Sequence, residues 1–223
     1  MTALPIAEPG AIPDLRFSVA GAQPLVRAAV PTVALQLVVE RLGGSVVRSA
    51  TVGVRVDIAP ARRAYDTATE ERLVDLFGAP DRWGTTLHGI GWSRATVLVG
   101  PFAEHTTAEL ALPCSYDFEV AAAKYLDALR DGDIPLELMF SGSVLYDAGG
   151  HVQAAPIPWD REATYRLPVH VWRAAMQAAF GDSAWLRVSR DTFDRLSAYR
   201  ARGAYTSWEA AIDSLLGVGP WTG

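Results

Sequence analysis

The sequence predicts an α+β protein: an antiparallel β-sandwich or strongly bent sheet with one short helix inserted, followed by a helical C-terminal portion. Three observations predict it. Apolar residues alternate with polar ones through much of the chain before Trp159, as in Val52, Val54, Val56 and Ile58 against Thr51, Gly53, Arg55 and Asp57. That is the period of strands with one wet face. One stretch in this region, Asp66 to Phe77, changes to the helical period, and beyond Trp159 helix caps and helical spacing take over.

Residues 1–14 are rich in Pro, Ala and Gly and are expected to form a mobile arm. Leu15 to Val19 and Pro31 to Glu40 read as strands, the second with Val33, Leu35, Leu37 and Val39 at every other position. Gly43-Gly44 turns the chain into the long strand Val46 to Ile58. In the inserted helix, 66–77, Leu73, Leu76 and Phe77 share one side; Asp66 or Thr67 caps it, Gly78 ends it, and Pro80 prevents its resumption.

Strands resume at Leu87 to Val99 and Thr106 to Phe118. Glu119 to Leu129 reads as a helix or as a bulged continuation of the strand, with Ala122, Tyr125, Leu126 and Leu129 on one helical side. Ile134 to Tyr146 and His151 to Ile157 form an antiparallel pair joined by Asp147 to Gly150. Three helices are expected in 160–216: one from Pro168 to Phe180, one opened by Ser189 or Asp191, and one capped by Thr206 or Ser207. The expected organisation is therefore an arm (1–14), a β-rich core (15–159), a helical portion packed on that core (160–216) and a tail (217–223).

A net charge of −5 over 223 residues argues against a nucleic-acid binder, which needs a basic face to meet phosphates. Positive charge is carried by Arg, with Lys124 the one lysine, and Arg makes bidentate contacts to carboxylates and stacks on aromatic rings. One cysteine makes no internal disulfide and belongs to no CxxC cluster, which fits a reducing compartment. The first residues lack a basic segment followed by a long apolar core, and no run approaches the ~20 apolar residues of a membrane span. A cytoplasmic protein without membrane insertion is expected.

Catalytic and metal-binding patterns are weak. His88, His105, His151 and His170 share no ligand spacing, and no Gly-rich phosphate loop joins a strand to a helix. No metal, cofactor or catalytic residue is assigned. Cys114 has His105 nearby in sequence, but on an extended strand the two stand roughly 30 Å apart at about 3.3 Å per residue, so Cys114 is read as a buried, inert thiol.

Arg62, Arg63, Tyr65, Arg82 and Trp83 bracket the inserted helix. They read either as an internal clamp or as an Arg-aromatic surface for an acidic partner segment. Seven tryptophans are many for this length: Trp172, Trp185 and Trp208 are expected to form the core of the helical portion, and Trp221 docks on the parent domain or anchors a partner.

The ordered series Arg62-Arg63-x-Tyr65, Leu76-Phe77-Gly78-x-Pro80-x-Arg82-Trp83, Pro113-Cys114-x-Tyr116-Asp117-Phe118, Lys124-Tyr125 and Phe140-Ser141-Gly142 resembles a family of uncharacterised bacterial proteins. Leu167-Pro168-Val169 with Trp172, Trp185-Leu186 and Arg190-Asp191-Thr192-Phe193 extend the resemblance over nearly the whole chain after the arm. Genes of that family often stand near those of nickel-iron hydrogenases and their maturation factors, and the family brings no established activity or catalytic residue. The resemblance implies an accessory protein, a chaperone or adaptor in metalloenzyme assembly, with a hydrogenase subunit or maturation factor as protein partner. Homo-oligomerisation stays open. Two rival readings are a small-molecule enzyme whose site is assembled only by folding, and a carbohydrate-binding module that uses exposed tryptophans such as Trp83, Trp92 and Trp159.

Overall fold

The computed structural model describes residues 10–114, 120–181 and 188–217. Ser115 to Phe118, Trp185, Leu186 and Trp221, which the sequence singled out, lie outside them. Contacts divide the chain into two units, residues 1–184 and 185–223.

The first unit holds two antiparallel sheets. One has three strands in the order β1 (Asp14–Pro24), β2 (Thr32–Gly43), β5 (His105–Pro113). The other has five: β4 (Ile90–Val99), β3 (Val47–Ile58) and β6 (Asp133–Ala148) side by side, with β7 (His151–Pro156) and β8 (Glu162–Pro168) both on the far edge of β6. Strand β6 is sixteen residues long, enough for two successive partners. It pairs with β8 from Asp133↔Pro168 to Met139↔Glu162, then with β7 from Ser143↔Pro156 to Ala148↔His151.

The alternation read in the sequence becomes the core between the sheets. Val52, Val54, Val56 and Ile58 of β3 and Ile134, Leu136, Leu138 and Phe140 of β6 are buried, as are Val33, Leu35, Leu37 and Val39 of β2. Phe17 of β1 stacks on Phe140 across the sheets, with ring centroids 4.3 Å apart and planes at 14°. Such a pair contributes beyond the area it buries. Edges of the two sheets also approach each other, β4 against β5 and β1 against β8, which limits unpaired strand edge.

Helices fill the strand connections. α1 (Thr67–Phe77) and the short α2 (Trp83–Thr86) lie between β3 and β4, α3 (Ala121–Ala128) lies between β5 and β6, and α1 packs on α3. Of the two alternatives, the helix is the one adopted over Ala121–Ala128, and Ala122, Tyr125, Leu126 and the capping Leu129 are all buried. α4 (Val169–Phe180) lies against β1 and β2 and buries Val169, Val171, Trp172, Ala175 and Met176.

The organisation departs from the sequence reading in three places. Residues 10–13, read as the end of a mobile arm, are tied down: the Gly10 amide donates to Ser45 Oγ at 3.1 Å and the Ser45 amide to the Ala11 carbonyl at 2.9 Å. Gly44, at φ +77°, lies under this segment, where a Cβ would strike the Ile12 carbonyl and come within 2.8 Å of Pro13 Cα. The region 160–216, read as a helical portion whose first helix starts at Pro168, begins with β8, because Ala163 and Tyr165 alternate with exposed Glu162, Thr164 and Arg166 while the free edge of β6 supplies backbone partners. Finally, Trp172 packs into the core of the first unit, while Trp208 lies in the second.

The second unit contains α5 (Arg190–Arg202) and α6 (Trp208–Leu216). Ser189 and Ser207 are the caps, accepting from the Thr192 and Ala210 amides and so satisfying donors that a helix start leaves free. Phe193 meets Trp208 at 5.5 Å, and the Arg200 guanidinium lies 4.7 Å from the Trp208 ring centroid.

Candidate functional site

The bracket begins where β3 ends. Pro60 starts a one-turn 3-10 segment and the Arg62 amide donates back to the Ala59 carbonyl, so Arg63 leaves the turn in extended conformation. That conformation carries its side chain to the loop after α3, where the guanidinium donates to the Asp133 carbonyl at 2.9 Å and the Asp131 carbonyl at 3.2 Å. Its carbon lies 5.4 Å from the Tyr65 ring centroid, and the side chain is only 12% exposed.

Two further arginines reach the same loop. Arg72 of α1 donates from Nε to the Ala128 carbonyl at 2.7 Å, and Arg173 of α4 donates to the Leu129 carbonyl at 3.0 and 3.2 Å. Three guanidinium groups from three elements therefore engage the carbonyls of residues 128, 129, 131 and 133. The last carbonyls of a helix have no partner within it and carry partial negative charge, so cations are favoured there. Burial, and then the neighbouring Arg130, hold Arg173 below the ordinary guanidinium value.

An aromatic cluster underlies the clamp. The Tyr65 hydroxyl donates to the Pro60 carbonyl at 2.7 Å, which uses its one proton, so the Tyr125 hydroxyl 2.8 Å away donates to Tyr65. Trp83 packs edge-on to Tyr65 at 5.4 Å and to Phe77 at 6.1 Å, and its indole N–H donates to the Gly78 carbonyl at 2.9 Å. Asp66 is the cap of α1: it accepts from the Thr69 amide at 2.7 Å, and its hydrogen bonds with Thr69 hold the carboxyl below its usual range. Lys124 of α3 pairs with Asp75 of α1 at 2.7 Å and lowers that carboxyl in the same way.

Of the five residues that the sequence grouped, folding brings Arg63, Tyr65 and Trp83 into one interior assembly and sends the other two outward. Arg62 pairs with Glu137 on β6 at 2.6 Å and is 57% exposed. Arg82 is exposed, and no ion pair of its guanidinium is present among the described residues. Tyr125, Arg72 and Arg173 complete the assembly and were not singled out for it. Tyr125 had a usable signal, since a tyrosine on a buried helical side needs a partner for its hydroxyl. Nothing in local spacing links Arg173 to a loop 44 residues earlier.

Burial raises both Tyr65 and Tyr125 above the ordinary tyrosine pKa. In the fold each phenol keeps its proton where the unfolded chain, at about 10, has released it. Stability is full below that value and falls as pH rises beyond it. Urea midpoints measured from about pH 9 to 11 are expected to decline, and Tyr65→Phe to decline less steeply. At neutral pH the same variant is expected to lose about 1–3 kcal/mol, because the Tyr125 hydroxyl and Pro60 carbonyl lose their partner.

Cys114 follows β5, with its amide bonded to the Pro31 carbonyl and its thiol donating to the Leu112 carbonyl at 3.6 Å. It is buried, and burial pushes the thiol up to about 12, far from a thiolate at neutral pH. His105 stands at the opposite end of β5, paired with Glu40, so the two are not brought together. Among the described residues, no three His, Cys, Asp or Glu side chains converge as metal ligands, and no helix is long and apolar enough to cross a membrane. Trp83 and Trp92 are half-buried against the core while Trp159 is 91% exposed, so the three do not form one sugar-binding platform.

One similar solved structure is a CARDB domain from Pyrococcus furiosus in complex with di-metal ions. It is 14% identical, with 73% of this chain and 93% of that chain covered at a TM-score of 0.28, a likeness that carries no argument about metal binding. No curated protein matches the chain. The model of a family of unknown function, DUF6084, matches residues 12–219, and the chain belongs to that family.

Proposed function

We propose that the protein is a non-enzymatic binding protein, an adaptor or chaperone in the assembly of a metalloenzyme such as a nickel-iron hydrogenase. The observation that carries the binding reading is the locked insertion: an internal arginine clamp holds α1 against α3 and an aromatic cluster holds the α2 turn against Tyr65 and Phe77, with Arg82 left exposed. A surface held rigid before binding loses less conformational entropy on association. Arg82 and Arg62 supply the charge of the partner surface, and Arg63, Tyr65 and Trp83 hold the platform that presents it. The metalloenzyme assignment is drawn from the family resemblance in the sequence.

The enzyme reading gains no nucleophile from Cys114, which is buried with its thiol pushed up and with His105 at the opposite end of β5. Affinity purification of the tagged protein from its native cell tests the proposal. Recovery of a hydrogenase or maturation subunit, reduced in Arg82→Glu, is the expected result; recovery of neither would sink the metalloenzyme reading.

A further inference from the structure

We propose that the outer face of the five-stranded sheet, between Trp159 and Trp92, docks an extended partner segment that carries a carboxylate beside an apolar side chain. The inference rests on the reading of the chain as a binding protein and adds a second surface and its chemistry.

The face is built by cross-strand register. Arg55 of β3 lies directly opposite Arg94 of β4 on one side and Met139 of β6 on the other. One step along, Gly53 lies opposite Thr96 and Ser141, a floor of small residues. Trp159 borders this floor, and together they line an open hollow of about 560 Å³. A second hollow of about 230 Å³ continues past the arginine row to Trp92 and Asp57. From Gly53 to Asp57 the strip spans five residues, about 13 Å over four steps, the reach of a short extended peptide.

Trp159 is displayed on a pinned turn. The Ile157 amide donates to the Gly142 carbonyl and the Phe140 amide to the Arg161 carbonyl, both at 2.9 Å, so the turn is anchored to β6 on either side of the indole. Arg161 is tied further to Asp14 at 2.8 Å. An indole 91% exposed yet held at both flanks of its backbone is prepared for contact, and Trp and Arg are the side chains that most often dominate binding energy.

The charge points to the partner's chemistry. Like charges directly opposite on a sheet repel. Asp57 offsets Arg55 through two contacts, at 2.7 and 3.0 Å, but among the described residues no carboxylate pairs with Arg94. A carboxylate brought by the partner would relieve the pair, while an apolar neighbour on the same segment covers Trp159 and Met139.

Selection of the full chain against a display library of random twelve-residue peptides tests this. Enriched peptides are expected to join Asp or Glu to large apolar residues and to bind less well as salt rises. Trp159→Ala and Arg94→Gln, both at exposed positions and checked for fold by circular dichroism, are each expected to weaken the selected peptides about thirtyfold. Absence of acidic-apolar enrichment, undiminished binding by Trp159→Ala, or a Trp159 emission response to oligosaccharides or single-stranded oligonucleotides in place of peptides overturns it. A native partner captured equally by wild type and Trp159→Ala removes this surface and leaves the binding-protein reading standing. Successful selection without any hydrogenase or maturation subunit in the native capture supports the surface and removes the metalloenzyme reading.

Discussion

Gly142→Ala is expected to lose at least about 3 kcal/mol of stability, read as a fall in the urea midpoint. Gly142 has φ +129°, a conformation that side chains with a Cβ rarely adopt. A Cβ there would run into the Thr51 carbonyl oxygen and lie 3.4 Å from Val52 Cα, both on the paired strand β3. Neither strand has room to yield. Gly142 sits where β6 has passed β8 and not yet met β7, and its carbonyl accepts from Ile157 to anchor the turn that bears Trp159. The substitution therefore strains the backbone of the central strand pair and loosens the proposed docking face together. Gly84→Ala is the control: it lies in α2 with nothing within 4 Å of the added Cβ, and there alanine is expected to stabilise by about 0.4–1 kcal/mol.

Phe140→Ala is expected to lose about 3–5 kcal/mol, with the midpoint of urea unfolding lowered and its slope unchanged. The side chain is 2% exposed and stacked on Phe17, so its removal opens a cavity between the sheets. Collapse is limited because β3 holds one edge of β6 along its length, and the pinned 157–161 turn with β8 holds the other. Phe140→Leu keeps most of the volume and is expected to lose about 1.5 kcal/mol or less. A large loss in both variants would mean that ring stacking, more than filled volume, joins the sheets.

The strand pattern was readable because each strand meets the core on one face, and alternation records that contact residue by residue. Val52 to Ile58 shows this, as does Val33 to Val39. α1 was readable for a similar reason, since its cap, its apolar side and its terminating glycine are all local. β8 was missed because it is short and its place is set by the free edge of β6, which no local spacing reports.

The candidate site divides along the same line. The sequence showed that Arg62, Arg63, Tyr65, Arg82 and Trp83 bracket the inserted helix, and left open whether they bind inward or outward. Folding decided it residue by residue, by placing the carbonyls of residues 131 and 133 within reach of Arg63, while Arg82 stays exposed with no ion pair among the described residues. Arg72 and Arg173 joined the clamp for the same reason.

The sequence by itself determined the fold class, the strands with one buried face and the inserted helix, because periodicity and capping act over a few residues. Only the tertiary structure decided which arginines are consumed by backbone carbonyls and which stay exposed, that Cys114 and His105 stand at opposite ends of one strand, and that Trp159 shares a face with Arg55 and Arg94. Those outcomes depend on partners dozens of residues apart, and the energy of a guanidinium, a thiol or an indole is set by what folding places beside it.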